Sequence, residues 1–347
     1  MLTSITVENF RGIERLHVEG LGRVNLIIGR NDSGKTALME ALEMAWLPEG
    51  ACFVLAARQS GRNAGAVMED FDDFWLPIFR QMDAKRGFQL KFNAIPAEGI
   101  GLSVKRAASP PPTTSMGAGA SLDPTGAWAL EFEVTRDKKL TSVVRSSAQG
   151  VQFPPEPPHF PGTRLWVSPS PGLSANDIRA FSRLKQTGRD SIVTDLLKHI
   201  SDKISGIELL APTGERVGVF VRLQHEGLIP LQMMGEGMKR YFEFAVSLAM
   251  ADDAPLFIDE IENGLHHSVL EPLWDWIAST ARERNAQVFA TTHSEECVQS
   301  ATRVFQRQHS DELRVIRLDK QEHETKAVVY DSDLVEAAER MGVEIRG

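Results

Sequence analysis

Gly29-Arg30-Asn31-Asp32-Ser33-Gly34-Lys35-Thr36 is the stretch on which the reading of this 347-residue chain turns. Its spacing is G-x-x-x-x-G-K-[ST]. Just before it, Val24 to Ile28 is a short apolar run with β-branched residues, the composition of a buried strand. Just after it, Ala37 to Trp46 consists of helix formers with apolar residues at helical spacing. Strand, glycine loop and helix line consecutive backbone N–H groups along a concave nest at a helix N-terminus, which suits a polyphosphate. Gly29 and Gly34 allow the unusual dihedrals of such a loop. Gly29, Asn31, Asp32, Ser33, Gly34, Lys35 and Thr36 are therefore candidate nucleotide contacts. Lys35 would reach the β- and γ-phosphates, and the Thr36 hydroxyl would meet a magnesium ion. A glycine-rich surface turn shares this composition; what separates the two readings lies further along the chain.

Pro255-Leu256-Phe257-Ile258 is an apolar strand that ends in two carboxylates, Asp259 and Glu260. At a strand tip beside a phosphate loop, Asp259 would hold magnesium directly or through water. Glu260 would polarise the attacking water as general base. An aspartate alone suffices for the metal; the adjacent glutamate is what hydrolysis asks for. Further on, Val288-Phe289-Ala290 is another buried strand, followed by the polar turn Thr291-Thr292-His293-Ser294. In an open α/β sheet both strand ends lie at the carboxyl edge that carries the phosphate loop. His293 could then hydrogen-bond the γ-phosphate. A lone acid pair or a lone histidine is more often structural, but three such elements in this order form a specific conjunction.

Composition is consistent with that reading. Hydrophobic residues make up 42% and charged residues 24%, as in ordinary globular proteins. No apolar run is long enough to span a bilayer and no leader is evident, so a cytoplasmic location is expected, without membrane association. Cys52 and Cys297 stand far apart, in no metal-ligand spacing, and fit reduced thiols. The net charge of −9 excludes a uniformly basic nucleic-acid binder and leaves only local basic faces.

Read in order, residues 2–10 and 14–19 form two strands joined by the turn Asn9-Phe10-Arg11-Gly12. Arg11 there is either a nucleotide contact or a solvated turn residue. Residues 48–70 carry weak signals. Alternation at 88–104 and 128–144 predicts antiparallel strands, separated by a flexible loop at 107–126 rich in Pro, Ser, Ala and Gly. Residues 153–161 form a proline-rich connector. Ser174 with Asp177 resembles a capping box at the start of a helical segment. Residues 227–237 read as a loop before an apolar helix at 238–251. The organisation is a single head spanning 1–347: an N-terminal lobe (1–172), a helical insertion (173–205) and a C-terminal lobe (206–347).

Asn9 to Gly12, Gly29 to Thr36, Ile258 to His266 and Ala290 to Ser294 together resemble the ABC-type ATPases of the RecF, SMC and OLD (overcoming lysogenisation defect) group. Within it they are most similar to bacterial AAA family ATPases with an OLD-type head. The resemblance covers essentially the whole chain. It implies an α/β P-loop fold of the ABC-ATPase head type, with a mostly parallel core sheet, an antiparallel β subdomain and a short helical insertion. It implies Mg-dependent binding and hydrolysis of ATP by a homodimer, or a higher homo-oligomer, that closes head to tail around nucleotide. One subunit's phosphate loop would then face the other's signature motif, here Met234 to Arg240, with Gly235 and Gly237 as the nucleotide contacts. Gln232 and Met233 depart from the family, where a serine is usual, so hydrolysis could be slow or dimerisation weak. Asn263 to His266 would form the D-loop. No long coiled coil and no C-terminal TOPRIM nuclease domain follow the head, so the resemblance implies a separate effector chain such as a TOPRIM-type nuclease, in DNA metabolism or anti-phage defence. The alternatives are a RecF-like repair ATPase that binds DNA directly and a poorly hydrolysing nucleotide switch. A transporter subunit fits less well, because the signature and the N-terminal hairpin point elsewhere.

Overall fold

Alternating burial along residues 2–19 builds the first hairpin of the computed structural model. This structure describes residues 1–62, 71–97, 99–108, 128–147, 150–154, 166–168, 173–212, 214, 216–321 and 324–340. Of the loop expected at 107–126 only residues 107–108 are described, and of the connector at 153–161 only 153–154; the rest of both lies outside the described residues. The chain divides into two units, which interleave in sequence.

The first unit comprises residues 1–20, 31–161 and 318–327. Its seven-stranded antiparallel sheet runs β2 (Ile13–Glu19), β1 (Leu2–Phe10), β4 (Phe88–Ala94), β5 (Ile100–Ala108), β6 (Trp128–Arg136), β7 (Lys139–Ser147) and β8 (Gly150–Gln152). The β1–β2 turn is tight, and Asn9 and Arg11 both adopt positive φ, 59° and 51°. Ile5 with Val7 and Leu16 with Val18 are buried at period-2 spacing, and Phe10 and Ile13, on either side of the turn, are buried as well. Among the described residues this unit holds the helices α1 (Lys35–Trp46), α2 (Ala51–Arg62) and α3 (Phe71–Trp75). α2 falls where the sequence gives only weak signals. Gly61 lowers its intrinsic propensity, but burial of Cys52, Val54 and Leu55 on one stripe supplies the stabilisation that local preference lacks.

The second unit comprises residues 21–30, 162–317 and 328–347. Its six-stranded sheet runs β16 (Glu324–Tyr330), β15 (Leu313–Gln321), β3 (Val24–Ile28), β14 (Gln287–Thr291), β13 (Pro255–Ile258) and β9 (Trp166–Val167). From β15 to β9 every pairing is parallel. β3, β13 and β14 are buried at every residue, as strands covered on both faces must be. A smaller antiparallel sheet holds β10 (Ile204–Leu210), β11 (Gly218–Leu223) and β12 (Gly227–Pro230). The helices are α4 (Ala175–Gln186), α5 (Ser191–Ile200), α6 (Glu236–Ala249), α7 (Leu270–Glu283), α8 (Glu295–Arg307) and α9 (Ser332–Arg340).

The capping box at α4 is present: Ser174 Oγ accepts from the Asp177 amide at 3.2 Å, and Asp177 returns an acceptor to the Ser174 amide at 2.8 Å. Phe181 of α4 meets Phe242 of α6 edge-on at 5.2 Å, within one core with Leu184, Leu196 and Leu197. Two local expectations are corrected. Residues 227–237 contain β12 and a 3-10 turn at Leu231–Met233, and α6 starts at Glu236 rather than at 238. β12 owes its strand form to pairing with β11, Ile229 opposite Val221, a long-range effect that local composition does not carry. β9, described over two residues, takes its strand form from pairing with β13.

Phe257 stacks between Trp166 (5.7 Å between centroids) and Phe289 (5.3 Å), so one aromatic ladder ties β9, β13 and β14 together. Replacing Phe257 by alanine removes the middle rung from a fully packed sheet. The expected loss is about 3–5 kcal/mol, read as a shift of the urea midpoint; a loss below about 1 kcal/mol would refute this account of the strand.

Candidate functional site

The carboxyl ends of β3, β14 and β13 lie side by side in the second unit, in register Ile27–Thr291 and Ile258–Ala290. The polar turns that leave these three strands carry Gly29, His293 and the pair Asp259-Glu260. Parallel pairing produces this convergence, since all three strands run the same way and end at the same edge. One amide extends the ladder past its end: Thr292 N–H donates to the Ile27 carbonyl at 3.1 Å.

Glu260 adopts φ 49°, a left-handed conformation that costs a non-glycine residue roughly 1 kcal/mol or more. Its surroundings hold it there. The Glu260 amide donates to Thr291 Oγ1 at 2.8 Å, and the Ile261 amide to the Thr291 carbonyl at 3.0 Å. The Thr291 hydroxyl in turn donates to Asp259 Oδ1 at 2.6 Å. Arg240, on α6 and with no exposed surface, donates to the carbonyls of Asp259 (2.9 Å), Glu260 (3.3 Å) and Ser168, and pairs with Glu243 at 3.5 Å. Burial pulls the Arg240 guanidinium below its usual pKa, and the charges of Glu243, Asp259 and Glu260 oppose that shift. Its face also lies over the Phe244 ring, 4.8 Å from the centroid. The backbone of the acid pair is thus fixed from two sides. Among the described residues the Glu260 carboxylate itself accepts no hydrogen bond.

His293 is half-buried, and its amide donates to Glu262 Oε1 at 2.7 Å. Its imidazole has no hydrogen-bond partner among the described residues. Ser294 caps α8 by accepting from the Cys297 amide at 3.2 Å, which sets the turn that carries the histidine. Cys297 is fully buried, and burial together with the Glu262 charge pushes its thiol up to about 12. Cys52 is buried too, so neither thiol has the exposure of a reactive cysteine.

Gly235 is the N-cap of α6, whose first turn has no side-chain cap. A Cβ on Gly237 would meet the Gly264 carbonyl at 3.2 Å, so the start of α6 packs closely on the turn holding Asn263 to His266. Met233 is 78% exposed just before it.

The remaining candidates belong to the first unit. Asp32 and Gly34 have φ 61° and 98°, and Gly34 is the N-cap of α1, again without a side-chain cap. A Cβ at Gly34 would press on Ile13 at 3.3 Å, and its φ would strain any other residue. Lys35 and Thr36 open the helix. Lys320 donates to the Asp32 carbonyl at 3.3 Å. Arg11 is engaged: its Nε meets Glu40 at 2.5 Å and its NH2 group meets Gln59 at 2.9 Å. A nucleotide contact from Arg11 would therefore compete with a buried ion pair, since the Glu40 side chain is 1% exposed.

Taken separately, the loop of the first unit can be compared with a phosphate and the strand tip of the second with a magnesium ion. Ser33 Oγ is buried and has no partner among the described residues, the expected state of a hydroxyl awaiting a phosphate oxygen. Asp259 has one oxygen engaged by Thr291, and its other oxygen has no hydrogen-bond partner among the described residues. The donors are all hard oxygens, suited to magnesium. In each unit the residues present fit their share of such a group, the loop a phosphate and Asp259 a cation.

Sequence reading missed Thr291, Arg240 and Glu243. Thr291 stood inside the quoted turn but looks like any β-branched strand residue. Arg240 follows the signature glycines, and a buried arginine is not distinguishable from an exposed one by composition.

Comparison with known proteins follows this geometry. Residues 159–298 match the family model described as "AAA domain, putative AbiEii toxin, Type IV TA system", and residues 1–46 match "AAA ATPase domain". An ATP/GTP phosphatase of Helicobacter pylori is 25% identical over 92% of this chain and 94% of its own length. The DNA replication and repair protein RecF of Clostridioides difficile is 44% identical over 43 residues, 12% of each chain. Among solved structures, an Smc head bound to the C-winged helix domain of ScpA superposes with a TM-score of 0.50 at 10% identity, over 97% of this chain and 99% of that one. That likeness is one of fold.

Proposed function

We propose that this chain, an ABC-type ATPase with an SMC-like head fold, binds Mg-ATP, closes on a second copy around it and hydrolyses it to switch a partner. The observation that carries the reading is the convergence at one sheet edge of an acid pair, a histidine whose imidazole has no partner among the described residues, and the origin of a phosphate loop. In this reading the loop amides, Ser33 and Lys35 bind the phosphates, and Lys35 offsets charge on the β- and γ-phosphates. Thr36 and Asp259 would hold magnesium, which when bound neutralises charge on the phosphate oxygens. Glu260 takes a proton from the attacking water, and the fixed backbone beneath it keeps the carboxylate in place. His293 donates a hydrogen bond to the γ-phosphate.

The exposed, uncapped start of α6 supports the second copy. Free N–H groups at a helix N-terminus suit a phosphate presented by another protomer. The Smc head was solved with a bound partner protein, which is consistent with a partner for this chain as well. A separate effector in DNA metabolism or defence is our preferred partner, and the RecF match keeps direct DNA binding as the alternative. Affinity for DNA that falls steeply with salt would favour the latter.

The test is the mass of the Glu260→Gln protein in solution with and without Mg-ATP, with Lys35→Ala as control. A doubling on adding Mg-ATP that Lys35→Ala does not show is expected. A mass indifferent to nucleotide, whether monomer or dimer, would overturn nucleotide-gated closure.

A further inference from the structure

We infer that Glu262 and Thr291 form a crosswise clasp that sets Glu260 and His293 relative to each other, with Glu262 the positioning residue for His293. Its kinetic consequence rests on the hydrolytic reading above; its geometry does not.

The regular β13–β14 ladder ends at Ile258 opposite Ala290. Beyond that point the two chains diverge into turns, and the next amides need other acceptors. Backbone carbonyls serve some of them, and for the amides of Glu260 and His293 side chains supply the acceptors in a reciprocal pattern. Thr291, two residues before His293, accepts the amide of Glu260 at 2.8 Å and donates to Asp259 at 2.6 Å. Glu262, two residues after Glu260, accepts the amide of His293 at 2.7 Å. Each turn thus lends one side chain to fix the reactive residue of the other. The clasp continues the register of the sheet past its end, where a turn would otherwise be free to move.

Glu262 uses only one oxygen for this. Its Oε2 is buried and accepts no hydrogen bond from the described residues. A buried carboxylate oxygen without a partner carries a desolvation cost, so a residue there for packing alone would be better apolar. The charged acceptor instead gives a short, strong bond to one amide. Turn position matters at this site, because a misplacement of about 1 Å can cost on the order of 100-fold in rate.

The test compares Glu262→Ala and Glu262→Gln in the full chain by three readouts: hydrogen exchange of the His293 amide, affinity for a non-hydrolysable ATP analogue, and single-turnover hydrolysis. Glu262→Ala should speed exchange of that amide at least about tenfold and slow hydrolysis about 100-fold, with nucleotide affinity within about twofold of wild type. Glu262→Gln keeps an acceptor oxygen and should retain most of both. Combining Glu262→Ala with Thr291→Val should cost less than the product of the single effects, since both act on one unit. Exchange and rate near wild type in Glu262→Ala would overturn the clasp. So would a rate loss matched by an equal loss of affinity, which marks general damage. Should Glu262→Ala fail to fold, Thr291→Val reads the clasp from its other side, through exchange of the Glu260 amide. Failure of the hydrolytic reading shows separately, as equal rates in wild type and Glu260→Gln, and amide exchange still decides the clasp.

Discussion

Glu260→Gln is expected to bind ATP as tightly as wild type and to hydrolyse it about 10²- to 10⁴-fold more slowly, the range for loss of a general base. The substitution is nearly isosteric, and the features that place residue 260 belong to the backbone. The amide on Thr291, the carbonyl on Arg240 and the left-handed φ all survive the change. Only the capacity to take a proton is lost. Because the carboxylate has no partner among the described residues, its removal leaves no stranded donor, and the fold should keep its stability. Phosphate release in a single turnover, beside equilibrium binding, measures both halves. Equal rates in the two proteins would remove Glu260 from the role of base. Weakened binding would indicate that it contributes to the phosphate site instead.

Arg240→Ala is expected to lose about 3–5 kcal/mol of stability, because one partner of a buried ion pair disappears. Glu243, with its side chain 8% exposed, would lose the Arg240 cation, and the carbonyls of Ser168, Asp259 and Glu260 would lose the guanidinium as a donor. Arg240→Lys should recover only part, since an ammonium cannot present the planar fork that serves several acceptors at once. Arg240→Met combined with Glu243→Leu removes both charges and should be much less damaging than Arg240→Ala. Urea unfolding of the four proteins tests the order. A loss of less than about 1 kcal/mol in Arg240→Ala would show that the network is replaceable by water. The same variant should also slow hydrolysis in the protein that remains folded, because α6 would no longer hold the turn carrying Glu260.

The parts of the site that local sequence made legible share a property. The loop Gly29 to Thr36 is a continuous run whose conformation depends on its own glycines, and Gly34 shows why: φ 98° and a wall at Ile13 exclude a side chain. Asp259-Glu260 and His293 each follow directly on an apolar run, so the strand announces the tip. Thr291, Arg240 and Glu262 have no such announcement. Thr291 acts on residues 31 and 32 positions away, and Arg240 on residues 19 and 20 positions away. Nothing in a neighbouring residue encodes those distances.

The same division runs through the fold. Alternation determined β4 and, less regularly, β1 and β2, and mostly apolar runs determined β3, β13 and β14, because burial on one or two faces is written in the residues themselves. α2, β9 and β12 were decided by tertiary structure. Their own residues are weak or too few, and each takes its form from the neighbour against which it is buried or paired. By itself the sequence determined which groups we propose for the phosphate site: a glycine loop, a lysine, two acids and a histidine. Only the tertiary structure decided that the acids and the histidine are held by each other's turns, since hydrogen bonds between distant segments exist only once parallel pairing has brought those segments together.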